Sequence, residues 1–227
     1  MVRLSFFYLL IVLGVASCQQ MEEFPSDLGL EYQPLEVGLT WTYQVDETIY
    51  FGENDRESDN YFLKDHVFNS YQNEAEGTVY IIQRSKSSNR SEWKNTLTYS
   101  LRRENNFLLR KLDNEIIIPL KFPVQQNSTW DGNLFNTHTE DLYMADFVNR
   151  HPVGQLNFNN VVRVEQETQD DLITIRDNRY EYFAKGVGLI ESYYEVLGYC
   201  SRNDCLGEQI IESGRLTHIK LLSYDKL

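Results

Sequence analysis

The sequence predicts an all-β protein whose strands form one strongly curved antiparallel meander sheet, a half-barrel or barrel with minor helix. Its segments alternate polar and apolar residues with a period of two, as in residues 40–46, where Trp41, Tyr43 and Val45 are the apolar positions. Pairs of Asn and Asp separate such segments at short intervals. No window longer than about ten residues keeps the helical period.

The alternation predicts about eleven to thirteen strands. They are expected, in chain order, at residues 40–46, 61–71, 78–84, 96–103, 107–112, 115–120, 139–148, 161–167, 172–176, 179–184, 188–197, 208–212 and 216–224. Tight turns are expected at Asn105-Asn106, Asp113-Asn114, Asn159-Asn160 and Asp177-Asn178, because Asn and Asp tolerate left-handed backbone. So many strands cannot stay one flat sheet, and tight hairpins favour a curved single domain over residues 34–227 rather than a Greek-key sandwich.

The composition excludes two classes of partner. The chain has 227 residues, 21 Lys and Arg against 34 Asp and Glu, a formal net charge of −13 and a pI near 4.7. A nucleic-acid-binding protein needs a basic surface, and binding to anionic lipid through charge needs one too. We therefore expect neither nucleic acid nor an anionic membrane surface to be bound electrostatically.

The amino terminus predicts export from the cytoplasm. Arg3 precedes an apolar run over residues 6–15, which as a helix would span about 15 Å, half of a bilayer core. Such a run is typical of a secretion signal rather than of a transmembrane helix, so residues 1–17 are expected to be a signal peptide. The run ends in Val15-Ala16-Ser17-Cys18, where small residues suit a signal peptidase and the cysteine sulfur can be acylated.

These last four residues resemble the lipobox of bacterial lipoprotein precursors. The resemblance implies cleavage before Cys18, lipidation of Cys18 and a stable membrane anchor of several acyl chains. The alternative is an ordinary secretion signal with an incidental cysteine. Gln19 stands where inner-membrane lipoproteins of enteric bacteria carry Asp, which favours the outer membrane, while Glu22 and Glu23 leave the cell surface and the periplasmic face both open.

A polar segment over residues 18–33 is expected to be a flexible tether. A second resemblance follows it. The spacing of Pro34, Leu35, Gly38, Trp41 and Tyr43, with the late segment 182–189, is similar to uncharacterised β-rich lipoproteins of the Bacteroidota. It implies a β-rich, lipid-anchored domain and no established activity.

Cys200 and Cys205 are the other two of the three cysteines. They enclose four polar, turn-forming residues between two segments with strand character, so a disulfide across a hairpin loop is expected, and an envelope location permits it. Free thiols are the alternative. A metal site would need two further ligands, and the neighbouring sequence offers none.

The sequence shows no recognised catalytic motif: no HExxH, GxSxG, P-loop or GxGxxG pattern occurs. The best metal candidate is His138 with Glu140 and Asp141, for which a solvated strand start is the favoured alternative. Residues 55–59 imitate the carboxylate spacing of a calcium loop but lack its glycine and its final Glu, so a charged hairpin tip is favoured. We expect no cofactor, no metal and no enzymatic activity.

Aromatic residues are abundant, with 15 Tyr, 12 Phe and 3 Trp. They favour either an aromatic platform on which sugars stack or, more simply, cross-strand pairs on sheet faces that are partly exposed to solvent. Trp41, Tyr43 and Tyr99 alternate with polar residues and are expected to face the core. Trp130 lies in a turn-like setting beside Asp131 and is the first aromatic to test for exposure.

Three functions remain open at this point. The first is a non-catalytic envelope lipoprotein whose curved sheet binds a small apolar ligand or docks an envelope protein partner. The second is a carbohydrate-binding lipoprotein of a surface uptake system. The third, a hydrolase, would require the four histidines (His66, His138, His151 and His218) or the acidic groups to cluster in a cleft.

Overall fold

The computed structural model describes residues 27–226, which form a single antiparallel sheet of twelve strands. A 3₁₀ turn at Leu30–Tyr32 precedes the strands. The strands are β1 Leu39–Gly52, β2 Asp55–Asn73, β3 Gly77–Ser87, β4 Lys94–Glu104, β5 Phe107–Leu112, β6 Glu115–Lys121, β7 Thr129–Asp131, β8 Leu142–Val153, β9 Leu156–Asp170, β10 Ile175–Ala184, β11 Gly188–Tyr199 and β12 Ile211–Lys226. No helix within residues 27–226 has the length and apolar character that a bilayer span requires.

The sheet curls into a nearly closed barrel. Its order is β6-β5-β4-β3-β2-β1-β12-β11-β10-β9-β8-β7, so consecutive strands pair except β6 and β7, and β1 pairs with β12. The two edge strands, β6 and β7, then approach each other. Ile118 N donates to Gly132 O at 3.0 Å, and Trp130 Nε1 donates to Ile118 O at 2.8 Å. The predicted curved meander is therefore confirmed.

Because the strands are antiparallel, successive connections lie alternately at the two opposite ends of the barrel. We call "tether end" the end that carries the Leu30–Tyr32 turn and the β2–β3, β4–β5, β6–β7, β8–β9 and β10–β11 connections. The opposite end, with the β1–β2, β3–β4, β5–β6, β7–β8, β9–β10 and β11–β12 connections, is the "far end". Asp27 Oδ2 lies 2.5 Å from Lys185 Nζ in the β10–β11 connection, so the first described residue is at the tether end.

The apolar core is concentrated toward the tether end. Trp41, Tyr43 and Val45 are all buried, as their alternation predicts. Trp41 Nε1 donates to Val187 O at 2.7 Å and Tyr43 OH donates to Leu189 O at 3.1 Å, so the polar atoms of both rings are satisfied inside the core.

Part of the predicted tether is packed on the barrel. Tyr32 and Gln33 are buried, and the Arg103 guanidinium donates to Leu30 O at 3.0 Å and to Gln33 O at 2.7 Å. Residues 30–33 therefore belong to the folded body. The predicted signal peptide over residues 1–17 and Cys18 lie outside the described residues.

Two predicted turns are confirmed and two are wrong. Asn105 and Asp113 have φ of 51° and 52° in the β4–β5 and β5–β6 turns. Asn159-Asn160 and Asp177-Asn178 instead lie inside β9 and β10. The polar side chains of β10 are held within the sheet: Asp177 accepts from Arg179 Nε at 2.6 Å, and Asn178 Nδ2 donates to Glu195 at 2.9 Å.

Several predicted strand bounds also change. Residues 171–174 form a loop, because the Asp171 carboxylate accepts hydrogen bonds from the backbone N–H groups of Ile173, Thr174 and Ile175. Strand β8 begins at Leu142 rather than at residue 139. The two strands predicted at 208–212 and 216–224 are replaced by one continuous strand, β12, which begins at Ile211 and in which Gly214 has a φ of 129°, while residues 208–210 belong to the β11–β12 connection.

Candidate functional site

A cavity of about 300 Å³ lies inside the barrel toward its far end. Its lining divides into apolar residues (Leu97, Leu112, Ile117, Leu189 and Ile219) and polar ones (Arg84, Tyr99, Arg110, Glu115, Glu181 and Ser192). Leu112 and Glu115 flank the β5–β6 turn and are exposed, so the cavity opens at the far end. The interior is therefore neither fully packed nor wholly apolar.

Strand register brings the polar groups to the inner face. Arg84 pairs with Asp65 and with Leu97 across the two ladders of β3, and Glu181 of β10 pairs with Ser192 of β11. Because alternate residues of a strand face opposite sides of the sheet, each pairing carries an inward position to the next strand. Charged residues at such positions are unusual for a barrel core and point to a polar interior.

The first of two inward ion pairs is Arg84 with Asp65. Arg84 Nε and Nη2 each lie 2.6 Å from an oxygen of Asp65, and Tyr99 OH donates to Asp65 Oδ2 at 2.9 Å. Burial raises the pKa of Tyr99, and the Asp65 carboxylate raises it further. Burial lowers the pKa of Arg84, but Asp65 raises it by more. The Asp65 carboxylate thus accepts three hydrogen bonds, two charge-assisted ones from Arg84 and one from the neutral hydroxyl of Tyr99.

The second inward ion pair is Arg110 with Glu181. Arg110 Nη2 donates to Glu181 Oε1 at 2.9 Å, and Glu181 is only 4% exposed. Burial lowers the pKa of Arg110, but the Glu181 carboxylate raises it by more. The other carboxylate oxygen, Glu181 Oε2, is buried and has no hydrogen-bond partner among residues 27–226. The two pairs cancel in charge and leave one unused acceptor.

A second cluster lies on the outer face of the sheet. His151 Nε2 donates to Glu191 Oε2 at 2.5 Å, and His218 Nε2 donates to Glu191 Oε1. His151 also stacks on Tyr182, with 3.8 Å between ring centroids. Burial alone would raise the pKa of Glu191, but the hydrogen bonds from His218 and His151 lower it by more. The cluster therefore ties β8 to β11 and β12.

Nothing in the sequence indicates that His151 and His218 meet at one carboxylate. His151 and His218 come from β8 and β12, and each is far in sequence from Glu191. No spacing rule links positions that only register brings together. Both Nε2 atoms are engaged by Glu191, and no serine or cysteine of the described residues hydrogen-bonds to either ring. The cluster also lies outside the cavity, so it does not form the cleft that the hydrolase hypothesis requires.

The two metal candidates from the sequence do not assemble. His138 Nε2 lies 3.0 Å from Glu115, Asp141 pairs with Arg179 at 2.8 Å, and Glu140 is exposed. Residues 55–59 belong to β2 and pair with β1, rather than forming a loop. Within the described part of the chain, the three metal-ligating side chains whose ligand atoms all lie within 4.8 Å of one another are those of Cys200, Asp204 and Cys205, and the two cysteines are joined as a disulfide.

The predicted disulfide is confirmed. Cys200 and Cys205 are bonded across the β11–β12 connection, with 5.8 Å between their Cα atoms, and both are buried. Trp130, the first aromatic to test for exposure, is buried in β7: it is 6% exposed, because its ring packs against Tyr143 and its indole N–H donates into β6.

Three tyrosines of the outer face, Tyr180, Tyr182 and Tyr193, pack on one another. Tyr180 stacks on Tyr193 with 5.1 Å between centroids, and Tyr182 meets Tyr180 edge-on at 5.4 Å. These are the cross-strand pairs that were the simpler interpretation of the aromatic content. They do not present a coplanar platform for a sugar.

Five of the large exposed apolar side chains lie in or beside far-end connections. They are Phe51 (57% exposed), Leu134 (55%), Leu172 (50%), Ile173 (47%) and Leu206 (56%). These are the residues that an envelope partner would meet first at the far end. Docking of such a partner stays a prediction.

Comparison with known proteins gives distant likenesses. No protein-family model matches the sequence, and no curated protein matches it. The chain is similar to a solved structure from Bacteroides fragilis, described provisionally as an exported protein with a YmcC-like fold (12% identity, TM-score 0.43, 86% of this chain and 98% of that chain covered). It is also similar to a protein from Parabacteroides distasonis described provisionally as a lipoprotein (10% identity, TM-score 0.36, with 86% and 98% covered). Both are too distant to assign a function.

Proposed function

We propose that this chain is a non-catalytic, lipid-anchored protein of the outer membrane whose barrel binds a small amphiphilic molecule. The observation that carries the proposal is the cavity of about 300 Å³, with apolar walls around the buried Glu181 carboxylate. Small-molecule sites are typically concave and mostly apolar, with a few polar groups that fix orientation. The lining of this cavity is more polar than that, with five apolar side chains and six polar ones, and a wholly apolar ligand would leave the two ion pairs facing hydrocarbon.

The anchor and the cavity mouth would lie at opposite ends of the barrel. Lipidation at Cys18, as the lipobox resemblance implies, leaves nine residue steps to Asp27, which reach at most about 30 Å. Asp27 is at the tether end beside Lys185, while Leu112 and Glu115 mark the mouth at the far end. A ligand would therefore enter from the aqueous side, away from the anchoring membrane.

The anchor is tested by Cys18→Ala, with Gln19→Ala as the matched control. We expect the Gln19→Ala protein to stay in the outer-membrane fraction and its amino-terminal peptide to carry acyl chains by mass spectrometry. Cys18→Ala should abolish the acylation. Finding an unmodified Cys18 in the mature wild-type protein would refute the lipid anchor and support the ordinary secretion signal instead.

The cavity is tested by photolabelling the full chain in native membranes with 1-dodecanol that carries a diazirine. We expect label on peptides of β4 to β6 and β10 to β12, displaced by excess 1-dodecanol. Ile219→Trp should fill the cavity and reduce this labelling at least about tenfold. The control, Leu142→Trp, alters a side chain that is 60% exposed outside the cavity and should leave labelling unchanged. Label spread evenly over the barrel surface in all three proteins would contradict ligand binding.

A further inference from the structure

We infer that the ligand is an uncharged amphiphile with a hydroxyl or amide N–H group that donates a hydrogen bond to Glu181 Oε2. The inference rests on the proposed function, since it names the class of molecule that the same cavity takes. It follows from three features of the described lining: an unused acceptor, the cancellation of charge, and the size of the apolar space.

The unused acceptor is Glu181 Oε2. Glu181 is 4% exposed and lines the cavity, its Oε1 accepts from Arg110, and its Oε2 has no partner within residues 27–226. Buried polar atoms in folded proteins nearly always have a hydrogen-bond partner. A carboxylate can only accept, so the missing group is a donor. The hydroxyl of Ser192, the cross-strand neighbour of Glu181, also lines the cavity and would provide a second polar contact.

Charge cancellation argues against an anionic head group. Both arginines of the lining are already engaged, Arg84 by Asp65 and Arg110 by Glu181. At the mouth stands a further carboxylate, Glu115, with His138 beside it. A carboxylate or phosphate ligand would bring a second negative charge against Glu181 Oε2, with no unengaged arginine in the described lining to offset it. A cationic head group would leave a net positive charge in a buried site, which is unfavourable.

The volume of the apolar space suits a ligand with a small apolar part. Leu97, Ile117 and Ile219 form walls of a cavity whose volume, about 300 Å³, is at the lower end of small-molecule sites, about 300 to 1,000 Å³. A single medium-length chain or a small ring system fits this description. A lipid with several acyl chains does not.

The experiment measures competition against the dodecanol photolabel in native membranes. The competitors are 1-dodecanol, dodecyl methyl ether, dodecanoate at pH 8 and dodecylamine. The ether keeps the chain and the oxygen but has no donor, so we expect it to compete at least about tenfold more weakly than the alcohol, because a site built around a hydrogen bond rejects the analogue that lacks it. Dodecanoate and dodecylamine should also compete more weakly.

Glu181→Gln should change the order of the competitors. The glutamine Oε1 still accepts from Arg110, while its Nε2 places donors where Oε2 was, and Arg110 loses its compensating charge. We expect the ratio of dodecanoate to dodecanol affinity to rise at least about tenfold over wild type. Because both proteins are compared in the same membranes, partitioning of each competitor into lipid cancels in this ratio. Glu140→Gln, at an exposed residue outside the cavity, is the control.

Each outcome bears on a different claim. If the ether equals the alcohol, or if dodecanoate or dodecylamine competes best in the wild type, the inferred ligand class is wrong while the cavity remains a binding site. If no competitor displaces label from the cavity strands, the proposed function fails as well. Should Glu181→Gln fail to fold, shown by loss of the cooperative thermal transition, the alcohol–ether comparison on the wild type still decides the inference.

Discussion

Arg110 and Glu181 meet across the interior of the barrel, with 2.9 Å between Arg110 Nη2 and Glu181 Oε1, although 71 positions separate them in sequence. Their strands, β5 and β10, are not neighbours in the sheet. The ion pair therefore connects the two halves of the barrel through its interior, beside the proposed ligand site.

Replacing Arg110 alone should lower the free energy of unfolding by more than replacing both Arg110 and Glu181. Arg110→Met leaves the Glu181 carboxylate buried without its cation, for which we expect a loss of about 3 to 5 kcal/mol in the free energy of unfolding. The double variant Arg110→Met/Glu181→Met removes both charges and should lose less. Urea unfolding of the wild type, both single variants and the double variant measures the coupling. Additive losses would show that the two side chains do not interact.

The Glu191 carboxylate should make stability depend on pH. Its pKa lies below the ordinary 4.5, because the hydrogen bonds from His218 and His151 outweigh the opposing effect of burial. A depressed pKa in the folded state adds stability that is fully present above the unfolded pKa and is lost as the pH falls through the folded pKa. Glu191→Gln should thus be destabilised by about 1.5 to 3 kcal/mol at pH 7, and the difference should shrink below pH 4.5.

Urea unfolding at pH 7, 5, 4 and 3 checks this dependence. Glu208→Gln, which changes an exposed carboxylate of the β11–β12 connection, is the control and should shift stability by less than about 0.5 kcal/mol at every pH. A Glu191→Gln difference that stays constant from pH 7 to pH 3 would contradict the assigned role of the histidine contacts.

The Cys200–Cys205 disulfide should stabilise the folded state modestly. A short closed loop restricts the unfolded chain little, so we expect Cys200→Ser/Cys205→Ser to lose about 2 kcal/mol in the free energy of unfolding. Dithiothreitol should lower the wild type to the same level and leave the double variant unaffected. An equal response of both proteins to the reductant would show that the bond does not form.

Gly214 should not tolerate alanine. Its φ is 129°, and an added Cβ would lie 2.7 Å from Leu197 Cα and closer still to Val196 O, all backbone atoms of the paired strand. We expect Gly214→Ala to lose about 2 to 5 kcal/mol. Gly77→Ala is the matched control: its φ is also positive, at 72°, but a Cβ would meet nothing within 4 Å, so only about 1 to 2 kcal/mol of backbone strain applies. Thermal unfolding of both variants makes the comparison.

Local chemistry explains which turns could be predicted. Asn105 and Asp113 separate apolar runs and adopt the left-handed backbone that their side chains tolerate. Asn178 has the same sequence context, yet its amide bonds to Glu195 of the adjacent strand and it stays within β10. Glu195, the residue that holds Asn178 in the strand, lies on β11, so the residues next to Asn178 in the sequence do not predict this hydrogen bond.

The sequence by itself determined the all-β class, the curved meander and the disulfide loop, because period-two alternation, turn residues and cysteine spacing are local properties of the chain. The tertiary structure decided that Arg110 faces Glu181 and that His151 and His218 share Glu191. Both groupings depend on strand register and on barrel closure, and a shift of one residue in register would turn each side chain to the opposite face. The candidate site therefore depends on contacts between strands that are distant in sequence, such as the one between Arg110 and Glu181.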